Sequence, residues 1–192
     1  MKNTFKHVNY LWDESKAATL GDDEVALFLY RSNILGSDLR ITNYGGGNTS
    51  CKTIEKDPLS NKEVEVMWIK GSGGDIGTLN RQGIASLYTK RLHDLKNVYA
   101  GLDNEDLMVG LFKHCIYDLD SRAPSIDTPL HGLLPFKHID HLHPDALIAV
   151  AAAADSEVTT KAIWGDSMGW VPWQRPGFDL GLQLEKCLTN NP

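Results

Sequence analysis

Strand-like and helix-like stretches alternate along this chain from residue 22 to residue 188, and no linker, repeat or low-complexity tract divides them. That interleaving restricts a chain of 192 residues to one α/β or α+β domain, long enough to build a proper core. Residues 63–69 (EVEVMWI) predict a strand, entered through a turn at Asp57-Pro58 and left through a glycine-rich loop at 70–75. Residues 39–43 also alternate like a strand, which Gly45-Gly46-Gly47 interrupts, and residues 48–53 resume as the next one. Residues 22–33 predict a helix with acids in its first turn and Gly36 beyond its end. Thr78 is placed to cap a helix running to about Leu95, and residues 103–118 predict another. Ser125 stands where a helix N-cap would be, with Pro129 early in that helix, where proline is tolerated. Residues 138–143 read as extended. Residues 145–154 are apolar and alanine-rich, a helix expected to pack on a sheet. Residues 162–164 and 169–173 are short strand candidates, and 178–188 a closing amphipathic helix with Leu180, Leu184 and Leu188 on one face.

Composition narrows the functional classes. The formal net charge is -6, so duplex nucleic acid, which needs a cationic face, is not an expected partner. The longest basic cluster, Lys90-Arg91 with Lys96, falls on a predicted helix and reads as a solvated face. No run of eighteen or more apolar residues is present, so no membrane span is expected. The opening residues, Met1 to His7, lack an apolar core and a small-residue cleavage site, so no secretory signal is expected. The 3 cysteines, Cys51, Cys115 and Cys187, are odd in number and far apart, which fits reduced thiols in a cytoplasmic protein.

Four stretches can carry chemistry. Gly45-Gly46-Gly47-Asn48-Thr49-Ser50 combines a backbone able to approach a ligand with short polar side chains, and equally suits a tight hairpin turn. Lys70-Gly71-Ser72-Gly73-Gly74-Asp75 follows a strand directly, where open sheets bind ligands; Ser72, two N–H groups and Lys70 suit a phosphate there. Neither is a Walker loop or a dinucleotide fingerprint. In Pro124-Ser125-Ile126-Asp127-Thr128-Pro129-Leu130-His131, Ser125 and Asp127 suit a helix cap, or an anion site with a general acid/base. His141 and His143 lie two apart in an extended segment and so face the same way, half of a metal site. Catalytic zinc takes about three protein ligands. His131, His138, Asp140 and Asp145 all remain open as the next donor.

Taken in order, GGGNTS at 45–50, KGSGGD at 70–75, PSIDTPLH at 124–131 and HLHPDALIA at 141–149 resemble the class II aldolase/adducin family across most of the chain. The subgroup most resembled is the N-terminal aldolase part of bacterial bifunctional rhamnulose-1-phosphate aldolase/short-chain dehydrogenase proteins, to which the tail VPWQRPGF at 171–178 is also similar. The resemblance implies a three-layer α/β/α domain over residues 1–192, with a central, largely antiparallel sheet. It implies substrate-phosphate binding by Gly47, Asn48, Ser72, Gly73 and Ser125, an acid/base at Asp127, and Zn2+ ligated by His141 and His143. The implied reaction is zinc-assisted retro-aldol cleavage of a ketose 1-phosphate, and the implied assembly a homo-tetramer. The family's third zinc histidine lies beyond Pro192, so a truncated N-terminal piece lacking a last strand and helix is expected. Ile126 stands where some relatives carry a second phosphate-binding serine, and Asp127 where Glu is common. A non-catalytic, adducin-like binding module is the competing expectation.

Overall fold

The computed structural model describes residues 10–190. The stretch read above for a signal segment, and the terminal Asn191-Pro192 that bear on truncation, lie outside these residues.

Four strands form one antiparallel sheet, β1 (Asn48–Lys56), β2 (Glu63–Lys70), β3 (Ile84–Tyr88) and β4 (His138–His141), in the order β3-β2-β1-β4. Eight α-helices accompany them among the described residues: α1 (Glu14–Leu20), α2 (Glu24–Ser37), α3 (Thr89–Asp94), α4 (Glu105–Leu111), α5 (Thr128–Gly132), α6 (Asp145–Ala151), α7 (Ser156–Trp164) and α8 (Phe178–Asn190). The register pairs Ser50 with Ile69 and with Ile139, so alternate residues of each strand serve opposite faces. One face packs on α2 through Val25, Phe28, Cys51, Trp68 and Ile84. The other carries the larger core: Met67, Ile69, Ala85 and Leu87 of the sheet against Leu92, Met108, Phe112, Leu133 and Phe178. The expected three layers are therefore present, with helices on both faces of an antiparallel sheet. Burial pushes the Cys51 thiol up to about 12 and the Cys115 thiol up to about 11, which leaves both inert.

Several local expectations are corrected. Residues 39–43 are a turn followed by irregular chain, not strand: the backbone N–H groups of Ile41 and Thr42 return to Asp38 O, and Arg40 Nε donates to Asp38 Oδ1 at 2.8 Å. The single helix expected from Thr78 to Leu95 is two 3-10 turns, then β3, then α3. All five residues of β3 are buried, so no alternation distinguishes that strand from a buried helix. The expected helix over 103–118 narrows to α4 and a 3-10 turn. The strand candidates at 162–164 and 169–173 are the end of α7 and irregular chain, and α6 lies against α7 with none of its seven residues buried rather than packing on the sheet.

Candidate active site

Antiparallel pairing brings the start of β1 and the ends of β2 and β4 to one end of the sheet, where Asn48 sits directly across from His141. Both glycine loops leave this end, and one carboxylate ties them together. Asp75 accepts from Gly45 N at 2.9 Å through Oδ1 and from Gly77 N at 2.9 Å through Oδ2. Gly47 has φ +74, and a Cβ there would meet His141 O at 2.6 Å; one on Gly46 would meet His143 Nδ1 at 2.8 Å. The glycines are thus required for close approach to the histidine segment. Gly47→Ala should cost ~1–3 kcal/mol in denaturant unfolding, combining the left-handed backbone with this contact. An unchanged midpoint would contradict the close approach.

His141 and His143 do face the same way. Their Nε2 atoms lie 3.0 Å apart and their ring centroids 4.9 Å. Two nitrogens on one edge of a zinc tetrahedron are about 3.3 Å apart for Zn–N bonds of about 2.0–2.1 Å, so this pair fits two positions of such a site. His141 is pushed below the usual imidazole range by burial, partly offset by the Asp127 carboxylate, with His143 and Lys70 adding to the depression. That favours the neutral ring, the form that ligates a metal. The four open donors do not join the pair. His138 and Asp140 occupy the opposite face of β4, where Arg31 Nη1 lies 2.6 Å from His138 Nδ1 and Arg31 Nε 3.1 Å from Asp140 Oδ1. Asp145 is exposed at the start of α6. His131 is fully buried, its Nδ1 2.8 Å from Ser50 Oγ. Among the described residues, no group of three or more His, Cys, Asp or Glu side chains is arranged to hold a metal.

Burial also makes His131 an acid-labile point. Desolvation, aided by the neighbouring His141, Lys52 and Arg31, pushes its pKa down to about 3. The unfolded chain takes up a proton at about 6.5 that the folded chain refuses, so this stability is present above that pH and is lost as pH falls. At pH 5 the loss from His131 alone is ~2 kcal/mol. His93 and His138, also depressed by burial, act in the same direction. The thermal midpoint should fall by roughly 4–8 °C between pH 7.5 and pH 5; a flat profile would show that His131 is not held neutral.

Asp127 occupies the N-cap position of α5, yet its side chain makes no capping hydrogen bond. Its Oδ2 instead accepts from Ser125 Oγ at 3.2 Å, and its backbone N–H donates to the same oxygen at 3.2 Å. The capping role open to Asp127 in the sequence is therefore not taken. Its charge reaches both Lys70 and His141, so carboxylate, cation and imidazole are neighbours. Lys70 is nearly buried, with Nζ 3.5 Å from Gly73 O and 3.3 Å from Gly74 O. Burial lowers its pKa, Asp127 and Asp75 oppose that, and Arg122 reinforces it. Ser72, Gly73 and Gly74 are exposed, and Ser72 N donates to Ala123 O at 2.9 Å. Asn48 is fully buried and donates Nδ2 to Lys70 O at 3.3 Å.

Arg122 was not singled out in the sequence. It donates Nε to Ser72 O at 2.7 Å and lies against Gly71 and Gly73. A cation two residues before Pro124-Ser125 was the available signal. Arg122, Gly73, Gly74, Asp75, Asn80 and Gln82 line a cleft of about 280 Å³ beside the loop. Larger clefts, about 550 Å³ between α6, α7 and the tryptophan segment and about 720 Å³ beside Asp57 and Tyr88, contain none of the candidate phosphate-binding, acid/base or metal residues.

The Class II Aldolase and Adducin N-terminal domain family matches residues 29–192. The chain belongs to this family. The class II aldolase fold is seen in the N-terminal class II aldolase domain of a conserved protein from Thermoplasma acidophilum. That structure is similar with a TM-score of 0.81 and 28% identity over 94% of this chain and 80% of that one. The chain is also 42% identical over 187 residues to the uncharacterized oxidoreductase YuxG of Bacillus subtilis (strain 168). The match takes in 96% of this chain and 26% of YuxG, so the chain spans about a quarter of that relative's length. No helix of the described residues is long and apolar enough to cross a membrane.

Proposed function

We propose that this domain cleaves a ketose 1-phosphate, rhamnulose 1-phosphate in the first instance, to dihydroxyacetone phosphate and L-lactaldehyde with a zinc ion as cofactor. The observation that carries this reading is the grouping, at one end of the sheet, of a carboxylate not used as a helix cap, two converging imidazoles and a glycine loop flanked by Lys70 and Arg122. His141 and His143 would hold the metal, with a further donor from outside the described residues or from a second subunit. A bound zinc supplies a Lewis acid that withdraws charge from the substrate carbonyl.

The chain's own residues perform the remaining work. Ser72 and Gly73, with Gly47 and Ser125, contact the phosphate, while Lys70 and Arg122 balance its charge. Asn48 acts from beneath by fixing the end of β2. Anchoring the phosphate holds the reacting carbons in one orientation, which lowers the entropic part of the barrier. Asp127 moves a proton: the hydroxyl proton lost at C4 as the C3–C4 bond breaks is balanced by a proton delivered to C3, completing dihydroxyacetone phosphate. Ser125 orients the carboxylate through its hydroxyl. The active species is proposed to be a cytoplasmic homo-oligomer. YuxG is called an oxidoreductase, but residues 1–192 carry no dinucleotide fingerprint, and the proposed cleavage needs no redox step.

The experiment is to supply zinc and rhamnulose 1-phosphate and follow dihydroxyacetone phosphate with a coupled enzyme, comparing other ketose phosphates. Formation of both fragments supports the reading. Zinc bound with no cleavage of any ketose phosphate would overturn the reaction. A specific observation favours a second reading, a binding module: the described residues contribute only the histidine pair to a metal. Absence of both zinc and cleavage would select that reading.

A further inference from the structure

We infer that Asn48 and His131 hold one internal water molecule against Nδ1 of His141, and that this water fixes the tautomer in which the Nε2 lone pair of His141 faces His143. His131 is thereby a positioning residue. The inference deepens the metal-site reading above and rests on it.

Three buried polar atoms in this corner find no hydrogen-bond partner in the protein: Asn48 Oδ1, His131 Nε2 and His141 Nδ1. They belong to neighbouring side chains. Asn48 and His141 are direct partners in the β1–β4 ladder, so both side chains rise from the same face. Ser50, two residues along on that face, carries the contact to His131. The His131 and His141 ring centroids are 6.4 Å apart. A ring nitrogen lies about 1.1 Å from its centroid, so the two nitrogens approach no closer than about 4 Å, which rules out a direct hydrogen bond, and at the near end of the separations the rings allow one water bridges them.

The donor and acceptor count closes. A His141 that offers the Nε2 lone pair must carry its proton on Nδ1, which donates to the water. The water has two protons to give, one to Asn48 Oδ1 and one to His131 Nε2. His131 then carries its own proton on Nδ1 and donates it to Ser50 Oγ, 2.8 Å away. Three hydrogen bonds are typical of a buried water. The second nitrogen of a metal-binding histidine is ordinarily held by such a partner, which sets ring orientation and tautomer.

The test begins with wild-type protein, metal-free, by NMR of nitrogen-labelled histidine. Expected are the Nδ1–H tautomer at both His131 and His141, and a cross-peak from the His141 Nδ1 proton to a slowly exchanging water. In His131→Leu the water signal should vanish and His141 should become a tautomer mixture. Affinity for zinc alone should fall ~10–100-fold. In His131→Gln, whose amide oxygen accepts from the same water, the tautomer should return. A wild-type His141 protonated on Nε2, or an unchanged His141 tautomer in folded His131→Leu, would overturn the inference. The wild-type spectrum decides even where both variants fail to fold. Its readouts need no metal, so a protein that binds no zinc would sink the metal reading while the water is judged separately.

Discussion

If the proposed reaction is correct, Asp127→Asn should lower the rate of carbon–carbon cleavage ~10²–10⁴-fold, the usual contribution of a positioned acid/base, while zinc content and the thermal midpoint should stay close to wild type. The amide has the size of the carboxyl and can still accept from Ser125 Oγ, so the local turn survives. Because the wild-type carboxylate makes no helix-capping bond, little stability is at stake in its loss. The charge is another matter. It raises the pKa of both Lys70 and His141 against burial, so in Asp127→Asn both should titrate lower than in wild type. That shift, followed by NMR, reports the neighbourhood of Asp127 independently of turnover. Asp127→Glu keeps the charge and extends its reach, and should lose less activity than Asn. A rate for Asp127→Asn within about tenfold of wild type would remove Asp127 from the acid/base role.

Glu105→Ala should be among the most destabilising single changes away from the site. Glu105 of α4 is almost wholly buried, and its two carboxylate oxygens cap α8. Oε2 accepts from Phe178 N at 2.8 Å and Oε1 from Asp179 N at 2.7 Å. A side chain from a distant helix thus does what a local N-cap residue usually does, and its charge also favours the positive end of the helix dipole. Charge-assisted bonds of this kind contribute ~1.5–3 kcal/mol each, so losing both should cost ~3–5 kcal/mol. For a domain of this size that corresponds to a thermal midpoint lower by roughly 10 °C. Glu105→Gln retains one acceptor and should cost less. The effect should extend to the site, because α8 packs on α5, where a Cβ on Gly181 would meet the Pro129 backbone at 3.0 Å. Urea unfolding checks the stability, and a cost under ~1 kcal/mol would mean the cap is dispensable.

What could be read in one dimension followed from local rules. The strand at residues 63–69, the extended histidine segment and the closing helix all appear where alternation, β-branching and helical spacing put them. The shared orientation of His141 and His143 needs only the two-residue period of an extended chain, and their nitrogens do converge. β3 was not legible, because a strand buried on both faces loses the polar positions that mark its period. Residues 162–164 and 169–173 misled in the opposite direction: their aromatic and β-branched residues suit a strand, but no neighbour offers them a ladder. Other features depended on contacts between residues far apart in the chain. They include the departure of His138 and Asp140 to Arg31, the burial of His131 on Ser50, the tie of Asp75 between two glycine loops and the arrival of Arg122 beside Ser72. The sequence by itself determined which chemical groups exist and which way each points along its own element, since both follow from backbone periodicity. Only the tertiary structure decided which of them meet and which are shielded from water, because register and burial depend on how the layers pack together.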